Sequence, residues 1–491
     1  MMFRKKYGVF TVLIGMSLLI ILAACGAPAP TPEVQAVEVT KIVEKEVTKV
    51  VEKQVEVTKV VEKEVVVTPT PEPVTLKMWI MPNGPQPLEI MQQEADAFHE
   101  LHPNITVDIE VIDWGAAWSK ITTAATSGEG PDISQLGTTW VAAISAMGAL
   151  RPFTADEIAA VGGGDAFVEA SWQTANPIGS GFTTALPWFV DTRAVVYRAD
   201  ALEKAGLDPD EAFATWESFD QALATLKEKV PEMAPIAFPG KNDWNVLHNF
   251  APWVWGAGGD MLNPGNTAAA FNSPEAIEGV KFYTSLYTKG YTPPDTLELN
   301  SAQVDGLFGA GKVVMVISGP WLVKNSETPP DQGGFAGTDA AKYLAVHEIP
   351  AGPAGRYTFV GGSDLTVWQS SKHPKEAVMF VQYLASPESQ VRYSANIGMI
   401  PANKEALADP AFSNDPRYSV FVQAVDHGKS YPAIPAWGPI ESAMVKHLGA
   451  LWDDVAGVNG PFDPDTMIPA RLNQAAEEVN ALLATASYTS K

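Results

Sequence analysis

The chain has 491 residues, 46% of them hydrophobic and 9% aromatic, with a formal charge of −24 and one cysteine. So much acid repels nucleic acid and anionic lipid headgroups, which argues against both as partners. A lone cysteine excludes an intramolecular disulfide, and the length is too great for a single hydrophobic core, so two or more lobes are expected.

At the N-terminus Arg4, Lys5 and Lys6 precede an apolar run over residues 9–24, which closes on Leu22-Ala23-Ala24-Cys25. A basic start, a short hydrophobic stretch and small residues at a cut site describe a secretory signal over residues 1–24. With cysteine at the cut, the segment resembles the lipobox of bacterial lipoproteins. That resemblance implies a diacylglyceryl thioether on Cys25 and an acylated amine, an anchor to which each buried CH₂ adds roughly 0.8 kcal/mol. The alternative is an uncleaved signal anchor with an idle Cys25. The lipoprotein is favoured because the run is shorter than the ~20 residues a spanning helix needs.

Residues 25–73 read as a lipidated cysteine and a linker, opening with Ala27-Pro28-Ala29-Pro30-Thr31-Pro32 and closing with Thr68-Pro69-Thr70-Pro71-Glu72-Pro73. Both ends are stiff, extended compositions without a core. Between them Val39-Thr40-Lys41-Ile42-Val43-Glu44-Lys45-Glu46 recurs from Val47 and again from Val57, spacings that match no strict heptad. A charged spacer is favoured over a coiled-coil stalk. It reaches about 150 Å stretched, or about 70 Å if helical. The charges of the signal and linker cancel, so the excess acid lies on the body.

From Val74 the pattern becomes α/β. Residues 74–80 read as a strand, 88–99 as a helix and 105–112 as a strand. Residues 118–126 read as a helix, and Pro131-Asp132-Ile133 opens another strand, with Asp132 bracing its turn. Strand signals return at 194–197, 312–317 and 366–368, helical ones at 216–229, 274–289 and 374–385, and the stretches 440–455 and 469–486 are mainly helical. This alternation predicts parallel βαβ units. No later stretch approaches 18 uninterrupted apolar residues, so no second membrane span is expected.

Several segments, in order, are similar to the family 1 extracellular solute-binding proteins, the sugar receptors of ABC importers. They are Gly128-Glu129-Gly130-Pro131-Asp132-Ile133, Leu186-Pro187-Trp188-Phe189-Val190-Asp191-Thr192, Phe308-Gly309-Ala310-Gly311-Lys312, Gly319-Pro320-Trp321, and Gly361-Gly362-Ser363-Asp364. The resemblance covers nearly everything from Val74 onward. It implies an α/β, type 2 periplasmic-binding-protein fold: two α/β lobes joined by crossovers, with a ligand cleft between them. By position, lobe one is 74–191 and 350–405, and lobe two is 192–349 and 406–491. The implied partners are a small-molecule sugar, ABC permease transmembrane subunits and the membrane through the N-terminal lipid. No nucleic acid, cofactor or metal is implied, the chain is expected to be a monomer, and its place is the extracytoplasmic face of the cell membrane.

A sugar receptor needs aromatic plates for C–H faces and acids or amides for hydroxyls. The resemblance places ligand contacts at Asn83, Thr139, Trp140, Trp188 and Asp191. It adds Trp253 or Trp255, Trp321, a returning loop with Gly361, Gly362, Ser363 and Asp364, and Trp437. Trp79, Trp172, Trp216, Trp368 and Trp452 are assigned to packing. Other motifs fail. Gly306-Leu307-Phe308-Gly309-Ala310-Gly311-Lys312-Val313 nearly spells a P-loop, but Val313 stands where Ser or Thr is needed. His99 and His102 lack further zinc ligands. No nucleophile elbow occurs, so no catalytic residue is expected. An extracytoplasmic glycoside hydrolase and a sensor docking to a membrane kinase remain alternatives; a hydrolase would need two carboxylates at fixed separation.

If Cys25 carries the anchor, Cys25→Ala releases the protein from membranes. Fractionation with a salt wash checks this, and a variant that stays with the membrane pellet refutes the lipoprotein reading.

Overall fold

The computed structural model describes residues 72–485 apart from Asn242. Cys25, the signal and the valine-rich repeat lie outside the described residues. Eleven strands are described: β1 (Val74–Ile80), β2 (Ile105–Val111), β3 (Ile133–Gly137), β4 (Leu186–Thr192), β5 (Ala194–Arg198), β6 (Ala234–Ala237), β7 (Val313–Ser318), β8 (Leu344–His347), β9 (Thr358–Val367), β10 (Ile400–Pro401) and β11 (Gly428–Lys429).

In β1 the buried residues Leu76, Met78 and Ile80 alternate with exposed Thr75 and Lys77, the period of a strand covered on one face. The Pro87–Leu101 helix that follows starts on Pro87 and buries Ile90, Met91, Glu94, Ala95 and Phe98, a stripe at helical spacing. Glu94 is tolerated inside because Arg392 and the Ser389 hydroxyl bond its carboxylate. Asp132 does brace its turn: it accepts from the Lys77 amide at 2.9 Å and the Ser371 hydroxyl at 2.6 Å.

The first sheet runs β10-β4-β9-β3-β1-β2, with β11 beside β9; the second runs β6-β7-β5-β8. The expected parallel βαβ units are present at β1–β2 and β1–β3, but they do not extend through the sheets. Only the pairs β1–β2, β1–β3, β9–β11 and β6–β7 are parallel, and β9 lies antiparallel between β3 and β4. The reason is chain path. The backbone leaves the first sheet after β4, builds the second, and returns from β8 to enter the first at its middle as β9. The two passages between sheets are therefore Arg193, between β4 and β5, and residues 348–357. They are tied together: the Thr358 hydroxyl donates to the Arg193 carbonyl at 2.7 Å and accepts its amide at 3.2 Å.

The second correction concerns Gly361, Gly362, Ser363 and Asp364, which are interior positions of β9 rather than a loop. Gly362 has φ +128°, and a Cβ there would stand 2.0 Å from the Phe189 carbonyl on β4, so strand pairing itself demands glycine. The third concerns the Asn245–Ala257 helix, which the sequence pattern did not disclose. Eleven of its residues are buried, so it has no polar face to set a period.

Trp253 lies on that helix, fully buried, its ring stacked on Tyr283 at 5.5 Å and tilted against Trp216 at 5.6 Å. It is a core residue of the second lobe, not a cleft plate. Trp188 is likewise fully buried, stacked on Tyr393 at 4.3 Å in the first. Trp253→Ala should lower stability by about 3–5 kcal/mol, the range for a buried aromatic. Denaturant unfolding measures it, and a loss below about 1 kcal/mol would take Trp253 out of the core.

Candidate functional site

The turn after β3 carries Thr139 and Trp140 toward the second lobe. Trp140 is almost wholly buried, within a cluster of tryptophans: its ring lies 5.6 Å from Trp114, 5.6 Å from Trp118 and 5.4 Å from Trp244. Trp114 and Trp118 sit on the Trp114–Ser127 helix beside the first sheet. Trp244 directly precedes the Asn245–Ala257 helix, which packs into the core around the second. Trp118 also lies against Gly438 at the start of the Trp437–Val455 helix, where a Cβ would come within 2.2 Å of the ring. Beside the cluster the Thr139 hydroxyl donates to Glu441 Oε2 at 2.7 Å. The lobes thus meet along a seam of aromatic rings flanked by a hydroxyl–carboxyl hydrogen bond.

A second group gathers at the crossover. Asp191 and the guanidinium of Arg193 form an ion pair, and Arg193 also donates to the Asn245 side chain. The guanidinium stands over the Trp321 ring at 4.8 Å and the Phe359 ring at 5.8 Å. Trp321 is half-buried and donates its indole N–H to Asp305 at 2.8 Å; Asp305 also accepts from Ser318 at 2.9 Å. Burial pushes Asp305 to about 6 against those two bonds. It also raises Asp191, an effect the neighbouring guanidinium only partly offsets.

Of the sequence-predicted residues, Thr139, Trp140, Asp191 and Trp321 therefore come to the seam and crossover. Others do not. Asn83 is buried and bonded to Gln135 and Tyr393, and Ser363 accepts from the same glutamine at 2.8 Å, because both point into the first lobe. Asp364 points the other way, toward the Glu169–Ala175 helix, where Thr174 donates to it at 3.1 Å. Trp437 is buried on Tyr431 at 4.4 Å, its indole N–H without a partner among the described residues. Gly361 faces Thr138 and the Phe359 ring, on the seam side of β9.

Sequence reasoning missed Trp118, Trp244, Asn245 and Glu441. For Glu441 one signal existed: it lies four residues after Trp437, on the same helix face.

A separate recess of about 1380 Å³ opens between the Glu169–Ala175 helix and residues 258–266, with Trp172, Trp255 and Tyr431 on its walls. Trp255 is its only predicted site residue; its indole N–H donates to Asp260 at 3.0 Å. Trp172, assigned to packing, stacks on Phe167 and lines the recess as well. Among the described residues no cluster of acids and histidines is arranged to hold a metal ion, and no helix is long and apolar enough to cross a membrane.

A family model described as bacterial extracellular solute-binding protein matches residues 82–391. A binding protein of Brucella abortus is 28% identical over 80% of this chain and 89% of its own. The diacetylchitobiose binding protein DasA of Streptomyces coelicolor is 27% identical over 75% of this chain and 82% of its own. Among solved structures, an ABC transporter solute-binding protein of Thermotoga lettingae bound with α-D-tagatose superposes with a TM-score of 0.73 at 23% identity. It covers 83% of this chain and 99% of its own.

One buried acid governs stability apart from the seam. Asp364 is 0% exposed, has one oxygen without a partner among the described residues, and is pushed to about 8 by burial. An acid raised on folding stabilises fully below its ordinary value and loses that contribution as pH rises through the raised one. Melting temperature should therefore fall between about pH 4 and pH 8, and Asp364→Asn should make that fall shallower, the remainder coming from Glu441 and Asp305. Thermal melts at closely spaced pH values test it; a variant profile parallel to the parent's would remove Asp364 as the source.

Proposed function

This chain belongs to the bacterial extracellular solute-binding proteins, and we propose that it is the component of an ABC importer that captures a carbohydrate, an oligosaccharide by preference. It holds the sugar between two lobes and hands it to a membrane permease. The family is one of substrate-binding proteins, not enzymes. The observation that carries the reading is the seam: rings from both lobes converge there beside acids, amides and a hydroxyl, the pairing of flat apolar faces with hydroxyl partners that a sugar requires. The likeness to a diacetylchitobiose-binding relative supports a carbohydrate over an amino acid or a metal.

In this reading Trp321, Trp140, Trp118 and Trp244 supply plates, and Asp191, Asn245 and Thr139 supply hydrogen bonds. The lobes take the limits 74–191 with 350–405, and 192–349 with 406–491. Strands β1–β4, β9 and β10 fall in the first set and β5–β8 in the second, which supports that division; β11 is the exception, lying in the second set beside β9. The chain is held at the outer face of the membrane by lipid on Cys25, acts as a monomer, and needs no cofactor or catalytic residue.

A thermal-shift screen against a carbohydrate panel identifies the sugar, because bound ligand raises stability by mass action. Trp321→Ala should then cost roughly tenfold or more in affinity. Unchanged affinity with an unchanged melt would remove Trp321 from the site. Asp191→Asn acts differently, for it leaves the Arg193 guanidinium buried without its countercharge. It should lower the melting temperature as well as affinity, and calorimetry beside a melt separates the two effects.

A further inference from the structure

Glu441 is 1% exposed and stands where the two lobes touch. Its Oε2 accepts from Thr139, and the Trp140 indole faces the same carboxyl. Its Oε1 has no hydrogen-bond partner among the described residues, and Nε2 of His248 lies 3.6 Å from it. His248 cannot swing away easily, because it lies flat on Phe359, centroids 3.9 Å apart and planes 1° from parallel. On its far side Nδ1 meets the Tyr431 hydroxyl at 3.3 Å, and that hydroxyl donates to the Leu247 carbonyl at 3.3 Å.

The Tyr431 hydroxyl lies 3.3 Å from both the Leu247 carbonyl and Nδ1, and one of the two imidazole tautomers fits a protonated Glu441: with the tyrosine proton on Leu247, its oxygen accepts from Nδ1–H. Burial, aided by Arg193, keeps the imidazole neutral, so in that tautomer Nε2 is a bare acceptor. A bare acceptor facing an unpartnered carboxyl oxygen is satisfied only if that oxygen carries a proton.

We propose that Glu441 couples closure of the two lobes to uptake of one proton from solvent, the protonated carboxyl holding Thr139 of the first lobe and facing His248 of the second. The groups facing it fit this. Thr139 and Trp140 come from the β3 turn, His248 from the Asn245–Ala257 helix, Tyr431 from the segment before the last two helices, and Trp437 from one turn earlier on its own helix. Arg193 acts on His248 and Tyr431, and among the described residues no lysine or arginine forms an ion pair with Glu441. Burial holds the carboxyl near 8 in this arrangement. When the lobes part, water reaches it and it returns to the ordinary carboxylate range. Closure then grows harder as pH rises from about 6.5, where His248 is neutral in either arrangement, toward 8, and levels off above. Glu441 is a positioning residue; it sets how readily the lobes close.

The inference rests on capture between moving lobes but not on which solute is captured. Single-molecule energy transfer between dyes on the two lobes of the ligand-free full chain, with Cys25 blocked, measures the closed-to-open ratio. From about pH 6.5 to pH 8, where His248 is neutral in either arrangement, the ratio should fall by up to about tenfold per pH unit. E441Q keeps the Thr139 bond, its carbonyl accepting, and turns an N–H toward Nε2 with no proton to take up, so its ratio should not fall between about pH 6.5 and pH 8. A parent ratio equal at pH 6.5 and pH 8, or a slope that persists in E441Q, overturns the proposal. Should E441Q fail to fold, Thr139→Val takes its place: it removes a donor that favours the ionised carboxylate, so it should shift the ratio toward open most strongly at high pH, and no such shift overturns the proposal. No carbohydrate enters the measurement, so a failed sugar screen and a flat profile are distinguishable.

Discussion

A buried guanidinium at the crossover is the constraint on which the rest of the molecule depends. Arg193 is 2% exposed and is the one residue between the last strand entering from the first sheet and the first strand of the second. A charge cannot be left there alone, because an unpaired buried ion costs several kcal/mol. Its partners are drawn from both lobes: Asp191 on β4, Asn245 at the head of a helix in the second lobe, the Trp321 ring after β7, and Phe359 on β9. Its backbone is tied to Thr358, the first residue of β9, where the second passage ends. One residue thus fixes the position of both passages and of the polar and aromatic groups that gather beside them.

Elements with a polar face were legible in the sequence. The Trp216–Lys229 helix begins on a Thr215–Ser218 capping box and buries Phe219, Ala222, Leu223 and Leu226, so its period and start both show. Elements buried all round were not. The Asn245–Ala257 helix, with Pro252 inside and hardly a polar position, carries neither a period nor a favourable propensity, and tertiary packing alone holds it. The insertion of β9 between β3 and β4 was illegible for another reason: it pairs residues more than 160 positions apart, and local patterns carry no information about such partners.

The site was legible in part for the same physical reasons. Motif order brought out Asp191 and Trp321. It could not separate Trp253 from Trp255, two residues apart on a helix and so on different faces. One is sunk among Trp216, Phe219 and Tyr283, the other is hydrogen-bonded to Asp260 at a recess. Trp118 and Trp244 lie in different segments, and neither is informative until folding puts both against Trp140. Glu441 had no mark in the sequence beyond its spacing from Trp437. Only its burial, and a tyrosine–histidine relay contributed by other segments, give it chemistry.

The seam also sets what a ligand must supply. Trp118, Trp140 and Trp244 already touch each other, and Thr139 already holds Glu441, so a solute entering between them replaces contacts that the protein makes with itself. Its net affinity is the difference between the two sets. A purely apolar ligand would gain little, since the rings already have apolar neighbours. In the proposed reading, a ligand bearing hydroxyls keeps the ring contacts through its C–H faces and adds bonds to Asp191, Asn245 and Thr139 that the closed seam makes only among its own groups. Selectivity for polyhydroxylated solutes then follows from the self-contacts themselves: the seam rejects what cannot do better than its own side chains.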